Sequence, residues 1–137
     1  MMLTTKGRYA VASLIDLAIL GSIKPVALLD IAIRQNISIR YLEQIFLKLK
    51  NAGLVRSVKG PGGGYVLCKG LEEITIKEII DAAEEKMEMT RCGNSLEKAC
   101  QKNNTRCVAH NLWNGLGNHI NTYLHNISIK DVIENRI

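Results

Sequence analysis

The sequence predicts a mainly α chain with a small β-hairpin wing: a winged helix-turn-helix domain followed by a dimerisation helix. Three observations lead there. A helix with well-separated apolar and polar faces is expected between Ser38 and Gly53, after a short helix and a tight turn. A Gly-rich hairpin motif follows it directly, and a long amphipathic segment stands in the last third of the chain.

Thr4 or Thr5 is placed to cap the first helix, which runs to about Leu20, with Tyr9, Val11, Leu14, Ile15, Leu17 and Ala18 as a broad apolar face. Gly21 closes it and Pro25 marks the next loop. A short helix covers about Leu29 to Gln35, Asn36-Ile37 turns the chain, and Ser38 caps a third helix. There Leu42, Ile45, Phe46 and Leu49 take the i, i+3, i+4, i+7 spacing of a buried stripe, while Arg40, Tyr41, Glu43, Gln44, Lys48 and Asn51 fall mainly on the exposed side. Two helices on a tight turn, the second offering polar and basic groups, make a helix-turn-helix pattern. Any exposed helix face is polar, however, so this motif alone decides little.

The next segment decides it. Leu54–Val58 and Tyr65–Cys68 read as short strands around Lys59-Gly-Pro-Gly-Gly-Gly64. Glycines supply positive backbone dihedrals and Pro61 a fixed turn, so a hairpin is expected, with Arg56 and Lys59 on or near its tip. A phosphate-binding loop would need a helix after the glycines and a Gly-Lys-Ser/Thr ending; a strand follows instead.

Two capping boxes open later helices. Thr75-x-x-Glu78 precedes Ile76, Ile79, Ile80 and Ala83 as inward positions, and Ser128-x-x-Asp131 precedes Ile129, Val132 and Ile133. Between them a helix from Cys107 or Val108 to Leu124 carries Val108, Leu112, Leu116, Ile120 and Leu124 at every fourth position, flanked by Trp113 and Tyr123. Such a helix suits dimerisation, or packs on its own domain. The expected division is 1–70 as the DNA-binding unit and 71–137 as ligand loop and dimerisation region.

Charge supports that division. Of the 137 residues, 1–70 hold ten Lys and Arg against three acids (Asp16, Asp30, Glu43), a balance of +7, and 71–137 hold eight against ten, a balance of −2. A basic half beside a mildly acidic one suggests that only the first meets a polyanion. Aromatics make up 4%, so the core must be mainly aliphatic. Lys6 and Arg8 before an apolar stretch imitate an export leader. But Asp16 interrupts that stretch, no Ala-x-Ala site follows, and it is too short to span a bilayer. No membrane association is expected, and the cytoplasm is the expected location. Four cysteines without an export signal then point to ligand or redox chemistry rather than disulfides.

Met89–Arg106 is polar and aperiodic, which in a small domain marks a functional or disordered loop. It contains Cys92 and Cys100, Cys107 stands at its end, and His110 follows three positions later, on the same face of a starting helix. Three thiolates and an imidazole can close a zinc site or complete the terminal ligands of a 2Fe–2S cluster, and unrelated thiols are the plain alternative. No Cys-x-x-Cys knuckle favours zinc. Cys68 reads as a packing cysteine, and His119 and His125 as ordinary surface or interface residues.

Several segments together carry a resemblance: Leu3-Thr-Thr-Lys-Gly-Arg-Tyr-Ala-Val11, Tyr41-Leu-Glu-Gln44, Gly53-Leu-Val55, Ser57-Val-Lys-Gly-Pro-Gly-Gly-Gly-Tyr65, Thr90-Arg-Cys92 and Cys107-x-x-His110-x-Leu-Trp113. In order and over almost the whole chain, they resemble the IscR-like iron–sulfur cluster regulators, winged-helix transcriptional repressors whose wider family includes NsrR and CymR. The resemblance implies a homodimer with a 2Fe–2S cluster on Cys92, Cys100, Cys107 and His110, control of cluster-assembly genes, and cluster-assembly or carrier proteins as donors. The cysteine spacings are longer than is usual there, Arg40 stands where a small polar residue is common, and Lys59 replaces a wing arginine.

On such a frame the partner is double-stranded DNA with a pseudo-palindromic operator. Tyr41, Glu43 and Gln44 are the base-reading candidates, Gln44 suiting adenine and Glu43 accepting from cytosine N4. Arg40, Lys48, Arg56 and Lys59 are candidates for phosphate or, on the wing, the minor groove; Lys6 and Arg8 are weaker ones. An enzyme is not expected, because four ligands leave no open metal position and no second catalytic constellation occurs. A zinc-stabilised DNA-binding protein or a small iron–sulfur redox protein are the alternatives.

Overall fold

The computed structural model describes residues 3–21, 24–83 and 107–137. Within them the order is α1 (Thr5–Leu20), α2 (Leu28–Gln35), α3 (Ile39–Asn51), β1 (Val55–Val58), β2 (Gly64–Leu67), α4 (Ile76–Ala82), α5 (His110–His125) and α6 (Ile129–Ile133). The loop expected over Met89–Arg106, with Cys92 and Cys100, lies outside the described residues.

Helices α2 and α3 end in the same way, and this fixes the helix-turn-helix. Asn36 takes a left-handed conformation (φ 54°), and the Ile37 N–H donates to the Ala32 carbonyl at 3.0 Å. Gly53 (φ 78°) repeats the device, with the Leu54 N–H donating to Leu49 at 3.0 Å. A left-handed residue lets the chain double back on the last turn and satisfy its carbonyls. Ser38 Oγ accepts from the Tyr41 N–H at 3.1 Å and starts α3 at once. The expected stripe of Leu42, Ile45, Phe46 and Leu49 is buried.

β1 and β2 pair antiparallel, from Val55 opposite Leu67 to Val58 opposite Gly64. The wing is anchored at its base, because Val26 and Tyr65 exchange backbone hydrogen bonds of 3.1 and 2.9 Å. That contact explains Gly64: a Cβ there would collide with the Val26 carbonyl, and its φ is +154°. β2 ends at Leu67, and Cys68 lies beyond it and is exposed. The reading of Cys68 as a packing cysteine is therefore corrected: it lies past the paired strand, where its side chain meets solvent.

Helices α4 and α6 start side by side. Both capping boxes form, Thr75 with Glu78 and Ser128 with Asp131. Ile76 donates to Ile127 and Ile129 to Ile74, each at 2.9 Å. Ile74, Ile76, Ile79, Ile80, Ala83 and Ile129 thereby join the same core as Ala10, Leu14, Leu17, Ile31 and the α3 stripe. Only Ile129 of α6 is buried; Val132 is half-buried and Ile133 is 36% exposed. A helix of five residues has too few turns to bury the three inward positions expected.

Candidate functional site

Three surfaces carry chemistry. The first is the outer face of α3. Arg40, Glu43 and Gln44 are exposed there, and Tyr41 and Lys48 are half-buried. Arg40, Gln44 and Lys48 stand four residues apart and form one row along the helix. Tyr41 meets Tyr9 of α1 edge to face, ring centroids 5.8 Å apart at 86°, so its ring is held against the first helix. Sequence reasoning passed over two residues on this side. Leu47 is 57% exposed on the polar face; its place off the buried stripe was the available signal. Lys50 donates to Ser57 Oγ at 3.4 Å, linking the end of α3 to β1, and a pairing across seven residues has no sequence signature.

The wing is the second surface. Arg56 and Lys59 are exposed, Arg56 on β1 and Lys59 in the loop beyond it. Gly60 (φ 94°) and Gly62 (φ 74°) take the conformations expected of the hairpin turn.

Between α1 and α2 an ionic network holds the motif together. Asp16 is 7% exposed, yet its carboxylate accepts from Arg34 Nη2 at 2.7 Å, Arg34 Nε at 3.1 and 3.2 Å, and Gln35 Nε2 at 2.9 Å. Burial pushes the Asp16 carboxyl up, but the hydrogen bonds from Arg34 and Gln35 outweigh this and hold it below the usual carboxylate range. The network ties α2 to α1, so α3 is presented from a braced platform.

The third surface is α5. Cys107 is half-buried just before the helix, and His110, its first residue, is 8% exposed. The His110 N–H donates to the Cys107 carbonyl at 3.0 Å, so the two lie one turn apart. Thiolate and imidazole are both donors that zinc and iron–sulfur centres accept. Only the backbones of these two expected ligands are placed one turn apart; the other two, Cys92 and Cys100, lie outside the described residues. Among the described residues no three His, Cys, Asp or Glu gather around one point. Around α5 the apolar stripe divides: Ile120 and Leu124 are half-buried, Leu124 packing on the core, whereas Val108, just before the helix, is fully exposed and Leu112 is 62%, Trp113 38%, Leu116 41% and Tyr123 59% exposed. His119 and His125 are on the surface, as expected. No helix among the described residues is long and apolar enough to cross a membrane.

Comparison with known proteins agrees with this layout. Residues 3–135 match the family model Rrf2, described as an iron-dependent transcriptional regulator. The HTH-type transcriptional regulator IscR of Pectobacterium atrosepticum is 44% identical over 136 residues, which cover 99% of this chain and 81% of the relative. Among solved structures, IscR of T. potens superposes with a TM-score of 0.80 at 31% identity, covering 100% of this chain and 89% of that one. CymR, the global cysteine regulator of B. subtilis, superposes with 0.82 at 30% identity, covering 98% of each chain. The family match spans the recognition helix, the wing and the Cys107–His110 turn alike, and the chain belongs to the Rrf2 family of transcriptional regulators.

Proposed function

We propose that this chain is a homodimeric repressor that reads a pseudo-palindromic operator with α3 and the wing, and that an iron–sulfur cluster on Cys92, Cys100, Cys107 and His110 sets its operator choice. One observation carries the reading. The same chain joins a braced recognition helix to a Cys107–His110 pair at the head of a helix that exposes Leu112, Leu116 and Tyr123. The Pectobacterium relative bears the name IscR, and the genes controlled here are taken to be those of iron–sulfur cluster assembly, in the cytoplasm. No catalytic role is assigned, and cluster-assembly or carrier proteins are the expected donors. The division of labour falls near residue 70, residues 1–70 gripping DNA and 71–137 holding the ligand loop and the dimer contact.

In a dimer two copies of α3 enter successive major grooves, about 34 Å apart. Gln44 donates to and accepts from an adenine edge, while Arg40, Lys48, Arg56 and Lys59 meet phosphates or, from the wing, the minor groove. Tyr41, its ring held by Tyr9, offers its hydroxyl. Glu43 works by exclusion, since a carboxylate facing DNA is repelled unless cytosine N4 meets it. When bound, a 2Fe–2S cluster supplies a supply- and redox-sensitive tie between the ligand loop and α5. Cys107 and His110 fix the C-terminal end of that loop to α5, and α5 packs on α4 against the core that carries α1.

The test is anaerobic reconstitution with iron and sulfide, followed by visible spectra, metal analysis and operator titration with and without cluster. Coloured protein with iron and sulfide, and operator affinity that follows cluster content, are expected. Colourless protein, or zinc in place of iron, removes the sensing account. With Glu43→Ala, selectivity between duplexes with and without the opposing cytosine should shrink by about 5- to 100-fold, the worth of one base contact.

A further inference from the structure

Resting on the DNA-reading function above, we propose that the start of α1 supplies a further part of the DNA-contacting surface. Lys6, with the Tyr41 hydroxyl and Lys48, forms a seat for one backbone phosphate beside Gln44. Lys6, Tyr41, Gln44, Ile45 and Lys48 line one shallow depression between α1 and α3. Two of these five carry ammonium groups, two are polar, and Ile45, 2% exposed, belongs to the core beneath them. None of the five is acidic, so the depression has the charge of an anion site.

Its parts are fixed beforehand. The Tyr41 backbone is held by Ser38 Oγ and its ring by Tyr9, which leaves the phenol as the group to be offered. A lysine is a compact point charge that suits a phosphate oxygen and carries no base preference. The helical period separates Lys6 from Arg8. Two residues apart on a helix means about 200° around its axis, so only Lys6 shares a side with Tyr41. A phosphate held by both α1 and α3 would fix the depth and register at which Gln44 meets the bases. Lys6 is then a positioning residue, and its loss weakens binding to every sequence alike.

The experiment measures fluorescence anisotropy of the full chain between roughly 50 and 200 mM salt. Two duplexes of equal length are used, one enriched by the wild-type protein from a random library and one unrelated. Lys6→Gln is expected to weaken both by the same factor, about 3- to 10-fold, and to make the slope of log affinity against log salt shallower by about 1.8, since each protomer of the dimer loses one phosphate contact worth about 0.9. Arg8→Gln, which removes the same charge from the other side of α1, is expected to lower the slope by less. Tyr41→Phe keeps the ring contact with Tyr9 and is expected to weaken both duplexes with the slope unchanged. Circular dichroism confirms that each variant is folded. Wild-type behaviour of folded Lys6→Gln overturns the seat, and so does an equal loss in Arg8→Gln, which would reveal only net charge. If Lys59→Gln weakens binding while Lys6→Gln does not, the seat alone fails. If the wild type shows no salt-dependent duplex binding, the DNA-reading function fails with it.

Discussion

Asp16 shows how much of this protein is decided by single side chains that sequence patterns treat as noise. In the sequence it is a charge that spoils an apolar run. In the fold it is the buried acceptor of four hydrogen-bond contacts from Arg34 and Gln35. The partner stands 18 positions away, a separation no local pattern reports. The same limit applies to the Lys50–Ser57 contact, whereas Asn36, Ser38 and Gly53 were legible because caps and turns are local chemistry. The pH consequence follows from sign. A carboxyl whose native pKa lies below its unfolded value of about 3.9 contributes stability that is fully present above that value and lost as pH falls through the native one. Asp16→Asn removes the charge and leaves Arg34 without its partner. Urea titrations of the cluster-free protein at neutral pH should show a loss of about 1–3 kcal/mol. The gap between wild type and variant should narrow below about pH 4 and stay constant from pH 5 to 8.

At the scale of elements, α3 and the wing were readable almost residue by residue, because amphipathic spacing and glycine-rich turns leave strong marks. Strand bounds moved by one residue, since pairing rather than propensity sets where β2 begins and ends. The wing's attachment to Val26 was not readable, being a contact between a loop and a strand that are distant in sequence. That attachment makes Gly64 one of the wing glycines that cannot take a side chain. Gly60 and Gly62 have open space around them, whereas a side chain at Gly63 meets the Val58 carbonyl within the turn and one at Gly64 meets the Val26 backbone at the wing's base. Gly64→Ala should therefore displace the wing from its base and cost about 1–3 kcal/mol, in the range of overpacking strain. Thermal melts would show the lowered midpoint. Operator affinity should fall with it, because Arg56 and Lys59 ride on the displaced strand and loop.

At the largest scale, the described residues of both halves share one core. α4 and α6 complete the hydrophobic interior that α1, α2 and α3 begin. The sequence marked a change of charge and role near residue 70 but carried no sign of this shared packing, which depends on two capped helix starts meeting in space. The ligand set was legible only as four residues of suitable chemistry. Of these expected ligands the described residues include Cys107 and His110, whose backbones lie one turn apart. The long helix was legible as an amphipathic repeat with two possible uses. Its exposure on the isolated chain favours the second copy: burying Leu112, Trp113, Leu116 and Tyr123 removes large apolar side chains from water, each worth about 1.5–3 kcal/mol when fully covered. A two-fold axis through α5 would also give the operator its symmetry, since each half-site needs its own α3. A Leu112→Asp, Leu116→Asp double variant places charges on that seam without touching the core. Sedimentation should report a dimer for the wild type and a monomer for the double variant. Operator affinity should fall by about 10²–10⁴, the loss expected when two linked contacts become independent, while binding to a single half-site should remain. A double variant that still sediments as a dimer would move the dimer contact away from α5 and leave its apolar face to another partner.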